Sequence, residues 1–540
     1  MNNIKINNLI LNELQSIASK LGIERIPILI DSKGHGDFTS NIAMGNKKDP
    51  MALAQEICNL LMQKKEELSI EKIEIAKPGF INFYLNNSYI APALTNVIKL
   101  NENWGKGDLK GKINIEFVSA NPTGYLHVGH ARNAAIGSAI ANILKFAGMD
   151  VIREYYINDA GAQVDILASS LYARYQQIFN TNFPMPQECY KGEDIVWAAN
   201  EFFKKFSDKY KNIPLENDVL ELFKAEGLSL FLSQIKKDLA RFNVFFDKYF
   251  SEKSLYENDE LIIKQTLTKL KNTYQKDGAT WLKTTIHGDD KDRVLIKDNN
   301  QYTYFMPDIA YHNIKFEQIG SEGMIMNVWG ADHSGYIKRM QCAMKDLGRN
   351  EQNLNILCMQ LVRLIKNGEE FKMSKRKGTS FFLREFIDIV GVDSARFILL
   401  DRTYNTKLDF DINIATSKNN DNPVILVQYA NARAHSLLQK ANYSYSEEIN
   451  INDLNEKDIQ LTKLVLEFPE IIKISAQKQV TNILTQYLIK LAKEFNSWYS
   501  NSPKIIESEN ADALLMIVRA VNITIENGLK VLGISVKYNM

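Results

Sequence analysis

Between Lys112 and Asn158 a strand, a loop, a helix and a second strand follow one another within about 45 residues, the span of one βαβ unit of a parallel sheet. In K-I-N-I-E-F-V-S, Ile113, Ile115 and Phe117 share one face, and Asn114, Glu116 and Val118 share the other. The loop A-N-P-T-G-Y-L follows. From His127 the pattern becomes a helix rich in alanine and glycine, stopped at Gly148, and V-I-R-E-Y-Y-I-N resumes the strand. Parallel strands need crossover helices and both faces covered, so this unit commits the centre of the chain to a doubly wound α/β domain.

The helix opens on His127-Val128-Gly129-His130. A helix N-terminus presents unpaired N–H groups and the positive dipole end, which favour phosphate. Imidazoles at the first and last positions can donate hydrogen bonds as charge builds on a phosphoryl group, and Gly129 leaves room for a flat purine. Alone, the tetrapeptide is equally one surface and one core histidine. A second feature is Phe371-Lys372-Met373-Ser374-Lys375-Arg376-Lys377-Gly378, in which four cations fall within six residues. Such a run is either a solvated basic loop or a clamp whose lysines follow a triphosphate as it becomes pyrophosphate. The two features lie in the two halves of one parallel sheet. Loops at the carboxyl ends of such strands face a common crevice.

This pairing resembles the class I aminoacyl-tRNA synthetases. E-F-V-S-A-N-P-T-G-Y-L-H-V-G-H-A-R-N, Y-Y-I-N-D-A-G-A-Q, V-W-G-A-D-H and F-K-M-S-K-R-K-G resemble the bacterial arginyl-tRNA synthetases in particular. So do G-H-G-D-F-T-S-N-I-A and K-P-G-F-I-N-F-Y-L near the start, and N-D-N-P-V-I-L-V-Q-Y-A-N-A-R and N-G-L-K-V-L-G-I near the end. The resemblance covers essentially the whole chain. It implies arginine and ATP as substrates, Mg²⁺ carried mainly by phosphate oxygens, tRNA(Arg) as the partner, and arginine activation that requires bound tRNA. It also implies a monomer, and a cytoplasmic protein is expected because the N-terminus shows no cationic segment followed by an apolar run and a small-residue cleavage site.

By the same resemblance His127, His130, Lys372 and Lys375 are catalytic. Gly129, Gly330, Asp332, Met373 and Ser374 join them around ATP. Glu116, Ser119, Asn121, Tyr304, Asp308 and His333 line the arginine site. A planar guanidinium is matched by carboxylates in bidentate fashion, and which of Glu116 and Asp308 takes the guanidinium and which the α-amine stays open. Asn158, Asp159 and Gln163 follow the second strand and either reach the crevice or form a local turn. Tyr429, Arg433 and His435 share a candidate RNA-facing helix, with packing an equal alternative for Tyr429. The chain departs from the family pattern at Tyr125, where proline is frequent, and at its Tyr538-Asn539-Met540 end, where an arginine commonly precedes the last methionine.

The expected architecture is multidomain α/β. An α+β tRNA-binding domain spans 1–105. A Rossmann-type catalytic domain spans 106–410, with a helical insertion at about 165–280. An all-α anticodon-binding domain spans 411–540. The run Ile98 to Lys112 reads as a linker, and strand signals near Thr303-Tyr304-Phe305, Met324 to Trp329 and Leu354 to Leu364 read as the second half of the sheet. Leu484, Leu488, Leu491, Phe495 and Trp498 trace one apolar helix face. The net charge of +1, from 65 basic and 64 acidic residues, neither supports nor excludes an RNA partner. No stretch reaches the length of a membrane span, and Cys58, Cys189, Cys342 and Cys358 lie too far apart for a zinc site. Small nucleotidylyltransferases share H-x-G-H but do not need a helical C-terminal domain. A non-catalytic relative would lose the histidines or the lysines. Within class I, an acid-lined pocket argues against glutamate, and the scattered thiols argue against cysteine.

Overall fold

The computed structural model describes residues 6–31, 36–46, 48–371, 381–445 and 454–540. Contacts divide the chain into two compact units. The first combines 1–104 with 433–468 and 494–524, and the second combines 105–432 with 469–493 and 525–540.

In the first unit an antiparallel sheet carries Ile70–Ala76 beside Phe80–Leu85, joined by the Lys77-Pro78-Gly79 turn read from the sequence. The helices Ile6–Leu21 and Pro50–Met62 supply Ile10, Leu14, Ile17, Leu53, Ile57 and Leu61 to its core. The C-terminal stretches of this unit are held to it by specific polar contacts. Lys463 pairs with Asp37 and Trp104 Nε1 donates to Thr524 Oγ1 (3.1 Å), while Arg433 Nη1, donating to Asn496 Oδ1 (2.7 Å), ties the two C-terminal stretches to each other. The predicted linker is shorter than expected. Ile98 to Leu100 finish the helix Ile90–Leu100, whose buried Ile90, Leu94 and Val97 extend its apolar face.

The second unit is built on a five-stranded, all-parallel sheet of β1 (Lys112–Glu116), β2 (Asp150–Ile157), β3 (Lys248–Ser251), β4 (Met324–Gly330) and β5 (Leu354–Met359). Their spatial order is β5-β4-β1-β2-β3. The chain winds outward through β2 and β3, then returns to the other side of β1, so the switch point lies between β1 and β4. Both faces of β1 are buried, because helix α1 (Val128–Phe146) covers one and α2 (Phe305–Ile319) the other. The small residues of α1 have a packing cause. Ala131, Ala134, Ala135 and Ala139 are buried, and a Cβ at Gly137 would overlap the Phe117 ring.

Two sequence expectations need correction. The inserted region is not simply helical. Helices Ala162–Gln177, Glu193–Phe206 and Asn217–Arg241 are followed by β3, which is an edge of the central sheet, and then by an antiparallel sheet of Thr273–Lys276, Ala279–Leu282 and Arg293–Ile296. The stretch Thr303-Tyr304-Phe305 is not a strand but the entry to α2, where Met306 N donates to Thr303 O. After Leu408–Asp411, which pairs in parallel with Val362–Lys366, the described elements from Ile412 on are all helical. In both corrected cases β-rich runs were too short for periodicity to separate edge strand from helix entry. The predicted apolar face from Leu484 to Trp498 is buried, and Gly533 ends the helix Ala511–Val531 with φ +70°. Among the described residues no helix is long and apolar enough to cross a membrane.

Candidate active site

A cavity of about 1080 Å³ opens over the carboxyl ends of β1 and β4, at the switch point of the sheet. It is lined by Glu116, Ser119, Asn121, His127, Gly129, His130, Tyr304, Asp308, Gly330 and His333, which the sequence singles out from three separate stretches of chain. Asp332 lies on the 3-10 turn Ala331–Tyr336 beside it. Lys372, Met373, Ser374 and Lys375 lie outside the described residues. The segments on either side of them are described. Phe371 N donates to Leu364 O (2.8 Å), while Val128 N donates to Phe381 O (2.8 Å) and Leu383 N to Leu126 O (2.8 Å). The segment that follows the basic run is thus paired directly with the histidine turn.

The backbone leaves β1 in an unusual conformation. Val118 and Ser119 have φ of +66° and +40°, a region that costs a β-branched residue of order 1–3 kcal/mol. Asn133 on α1 holds it there. Its Oδ1 accepts from Val118 N (2.7 Å) and its Nδ2 donates to Val328 O (2.9 Å), bridging the ends of β1 and β4. The kink turns Ser119 back into the site, where its Oγ donates to Glu116 Oε1 (3.1 Å) and accepts from Tyr156 N (3.1 Å).

One side of the cavity is acidic. Glu116 is paired by the fully buried Lys315 (2.8 Å), which also donates to Asn327 Oδ1 (2.7 Å). Burial pushes Glu116 up, but Lys315, His312 and the Tyr311 hydroxyl more than offset this, leaving it below the usual carboxylate range. Glu154 receives Asn114 Nδ2 (2.7 Å), Tyr311 OH (2.8 Å) and Lys248 (3.3 Å). Among the described residues Asp308 and Glu252 have no such cation. Burial pushes Asp308 up to about 7; the Tyr336 hydroxyl at 2.7 Å opposes this, and Glu252 and Glu116 add repulsion. Burial likewise pushes Glu252 up to about 7, against Tyr156 and with Asp159. Glu252 carries no motif, so sequence reasoning missed it. The available signal was its place directly after β3, at the carboxyl end of a parallel strand. Asp159 fixes this acid from behind by accepting from Ser251 Oγ (2.6 Å) and Lys253 N (2.9 Å). Gln163 accepts from Asn121 Nδ2. Tyr304 stands at the mouth and is 89% exposed.

The opposite side holds the imidazoles. His127 Nδ1 accepts from Gly129 N (3.1 Å), and His130 Nδ1 accepts from His127 N (3.2 Å). A neutral ring that accepts at Nδ1 carries its proton on Nε2, so both offer an Nε2–H. Burial lowers His127, and burial with the neighbouring His127 takes His130 to about 3. The rings lie 3.8 Å apart, and a Cβ at Gly129 would meet the His127 ring at 2.8 Å. The far wall of this side is Met359 to Val362. Tyr125, where the chain departs from the family pattern, uses the N–H that proline lacks to donate to Asp194 Oδ2 (3.3 Å). Its ring contacts Trp197 and Phe382 and lies 3.6 Å from the Arg384 guanidinium carbon.

Three sequence-family models match the chain. They are "Arginyl tRNA synthetase N terminal domain" over 5–85, "tRNA synthetases class I (R), catalytic domain" over 93–416 and "DALR anticodon binding domain" over 427–540. A curated relative from Mycoplasma mobile, "Arginine--tRNA ligase", is 46% identical over 97% of this chain and 98% of its own length. One of the same name from Metamycoplasma arthritidis is 44% identical over 99% and 100%. Among solved structures, a putative arginyl-tRNA synthetase from Campylobacter jejuni superposes with a TM-score of 0.78 and 32% identity, covering 84% of this chain and 100% of that one.

Proposed function

The chain belongs to the arginyl-tRNA synthetase family of class I, and from that premise we propose how the cavity over β1 and β4 divides the work of arginine–tRNA ligation. The reaction joins L-arginine to tRNA(Arg) at the expense of ATP. The observation that carries the division is Asp308 on the cavity wall, half-buried and repelled by the buried Glu252 behind it, neither with a cation among the described residues, on a different part of the lining from two neutral imidazoles at a helix N-terminus.

The acidic side takes the arginine side chain. A guanidinium is always charged and presents a planar fork, so it relieves the repulsion between Asp308 and Glu252 while filling their acceptor sites. Glu116 is already neutralised by Lys315 and serves through Ser119 to shape the loop toward the α-amine end, together with Asn121. Tyr304 closes over the bound side chain and His333 flanks the mouth. The other side takes ATP between the His127–His130 turn and the Met359–Val362 wall, with Gly330 and Asp332 beside the ribose. Lys372 and Lys375, with Met373 and Ser374, follow the phosphates. Among the described residues no group of three or more acids, histidines or cysteines could cage a metal. Mg²⁺ would be carried mainly by the phosphate oxygens and would supply neutralising charge there.

In the first step an arginine carboxylate oxygen attacks the α-phosphorus of ATP. The bond to the β-phosphate bridging oxygen breaks, and pyrophosphate leaves. The two Nε2–H groups donate to oxygens that gain charge in the transition state, without needing a proton of their own. In the second step a ribose hydroxyl of the terminal tRNA adenosine attacks the arginyl carbonyl carbon and AMP leaves. We read three domains, 1–105, 106–410 and 411–540, with the flanking ones on tRNA. We also read a monomer that acts in the cytoplasm, where translation occurs.

The deciding experiment is ATP–pyrophosphate exchange with each amino acid, with and without total tRNA. Exchange with arginine alone, and only when tRNA is present, is the expected result. Exchange with glutamate or cysteine would keep class I and remove arginine. Absence of exchange in folded, tRNA-binding protein would favour a non-catalytic role.

The raised carboxyls give a pH prediction. Arginine binds the ionised pair, so binding requires loss of protons held at about 7 by Asp308 and Glu252. The arginine KM should fall as pH rises through 7, by about tenfold per unit below it for each carboxyl that must ionise, and level off above about 8. Calorimetry at pH 7 in buffers of different ionisation enthalpy should show proton release on arginine binding. Proton uptake, or a KM flat from pH 6 to 8, would reject the assignment.

A further inference from the structure

One turn from the imidazoles, on the same helix, Arg132 is fully buried. Its Nη1 donates to Gln360 O (2.9 Å) and Thr406 O (2.7 Å), and its Nη2 to Thr403 O (2.9 Å). Among the described residues its Nε has no acceptor, and its hydrogen-bond partners are neutral main-chain carbonyls. Burial alone pushes the guanidinium down to about 10. A buried cation without a counter-charge is a costly fastener, since apolar contact would hold a helix to a loop at less expense in desolvation. What a guanidinium adds is geometry. Its rigid fork fixes three acceptors on two segments at defined angles.

Those segments are the ones that carry the wall of the nucleotide side. Gln360 lies between Met359 and Leu361, and all three line the cavity with Val362. From behind, Gln360 N donates to Tyr404 O (2.9 Å) and Leu408 N to Leu361 O (3.3 Å), and Val362 pairs with Leu408. The 403–408 segment thus backs the wall, and Arg132 grips both the segment and the wall. The acidic side is supported by other elements: α2 through Lys315, Tyr311 and Asp308, and the turn after β3 through Asp159.

We propose that Arg132 is a positioning residue for the nucleotide side of the cavity, setting the gap between the His127–His130 turn and the Met359–Val362 wall. The inference rests on the division of the cavity given above. It makes the defect of an Arg132 variant one-sided, because the elements that hold the acidic side do not hang on this guanidinium.

The test is ATP–pyrophosphate exchange by the full chain with tRNA present, varying ATP and arginine separately. Arg132→Lys keeps the charge but replaces the fork by a single ammonium. It should raise the ATP KM by about tenfold or more, as misplacement of a gripping wall by a fraction of an ångström to one ångström would, and leave the arginine KM within about twofold. Arg132→Gln, uncharged and able to serve one or two of the carbonyls, should show the same one-sided defect, and it decides the matter if R132K does not fold. Equal rises in both KM values, or an unchanged ATP KM, would overturn the proposal. Wild-type protein without arginine-dependent exchange would instead overturn the functional reading on which it stands.

Discussion

Asp308→Asn should lower kcat/KM for arginine on the order of 10³-fold, since removing one partner of a desolvated charge pair costs about 2–5 kcal/mol. The ATP KM should stay near the wild-type value, because Asp308 lies on the acidic side with Tyr336, Glu252 and Glu116 and not beside the imidazoles. The same substitution should not destabilise the ligand-free protein. Asp308 is held up at about 7, above its ordinary value near 3.8. An acid whose folded value is raised loses stability as pH rises from its unfolded value through the folded one, and above about 7 its full cost remains. Asparagine removes that cost while keeping an acceptor for the Tyr336 hydroxyl. Thermal unfolding of D308N at pH 8 should therefore give a Tm equal to or above wild type, with exchange activity nearly lost. A Tm well below wild type would mean that Asp308 holds the fold and not the substrate. Active sites that wait for a charged ligand carry this trade of stability for function.

His130→Ala should lower kcat for arginine-dependent exchange by about 10²–10³, the usual loss for one preorganised donor to a developing charge. KM values for both substrates should change little, because the bond is strongest in the transition state. His130 lies at about 3 and His127 is also lowered, so both rings stay neutral through the working range. The imidazoles should then contribute no limb to the kcat profile between pH 6 and 8. Any dependence there should belong to the arginine KM, through Asp308 and Glu252. Pre-steady-state measurement of adenylate formation across that range separates the two. A kcat limb that vanishes in the H130A protein would show that the ring titrates, against its Nδ1 contact with the His127 amide.

Two of these outcomes concern residues that the sequence makes conspicuous, and the reason is local. His127 and His130 must stand at the first turn of a helix after a parallel strand, and both the strand pattern and the helix start are written in adjacent residues. The capping geometry is equally local, because Gly129 N and His127 N bond to rings two and three positions away. The same holds for Glu116, Ser119 and Asn121, which follow β1 directly. The N-terminal hairpin around Lys77-Pro78-Gly79, the helix stop at Gly533 and the apolar face from Leu484 to Trp498 are likewise short-range signals.

By itself, then, the sequence determined the βαβ unit, the order of the signature segments and the chemistry they share, because each rests on spacing within a few turns of chain. Tertiary structure alone decided how charge is distributed over the site. That Glu116 is neutralised by Lys315, 199 positions away, while Asp308 and Glu252 have no cation among the described residues, follows from which face of α2 meets β1 and from β3 joining the sheet edge. That Arg132 reaches carbonyls 228 to 274 residues downstream follows from a parallel sheet returning across its own switch point. Periodicity records which face of an element is apolar. It does not record which partner that face will meet, and a buried ion pair is defined by the partner.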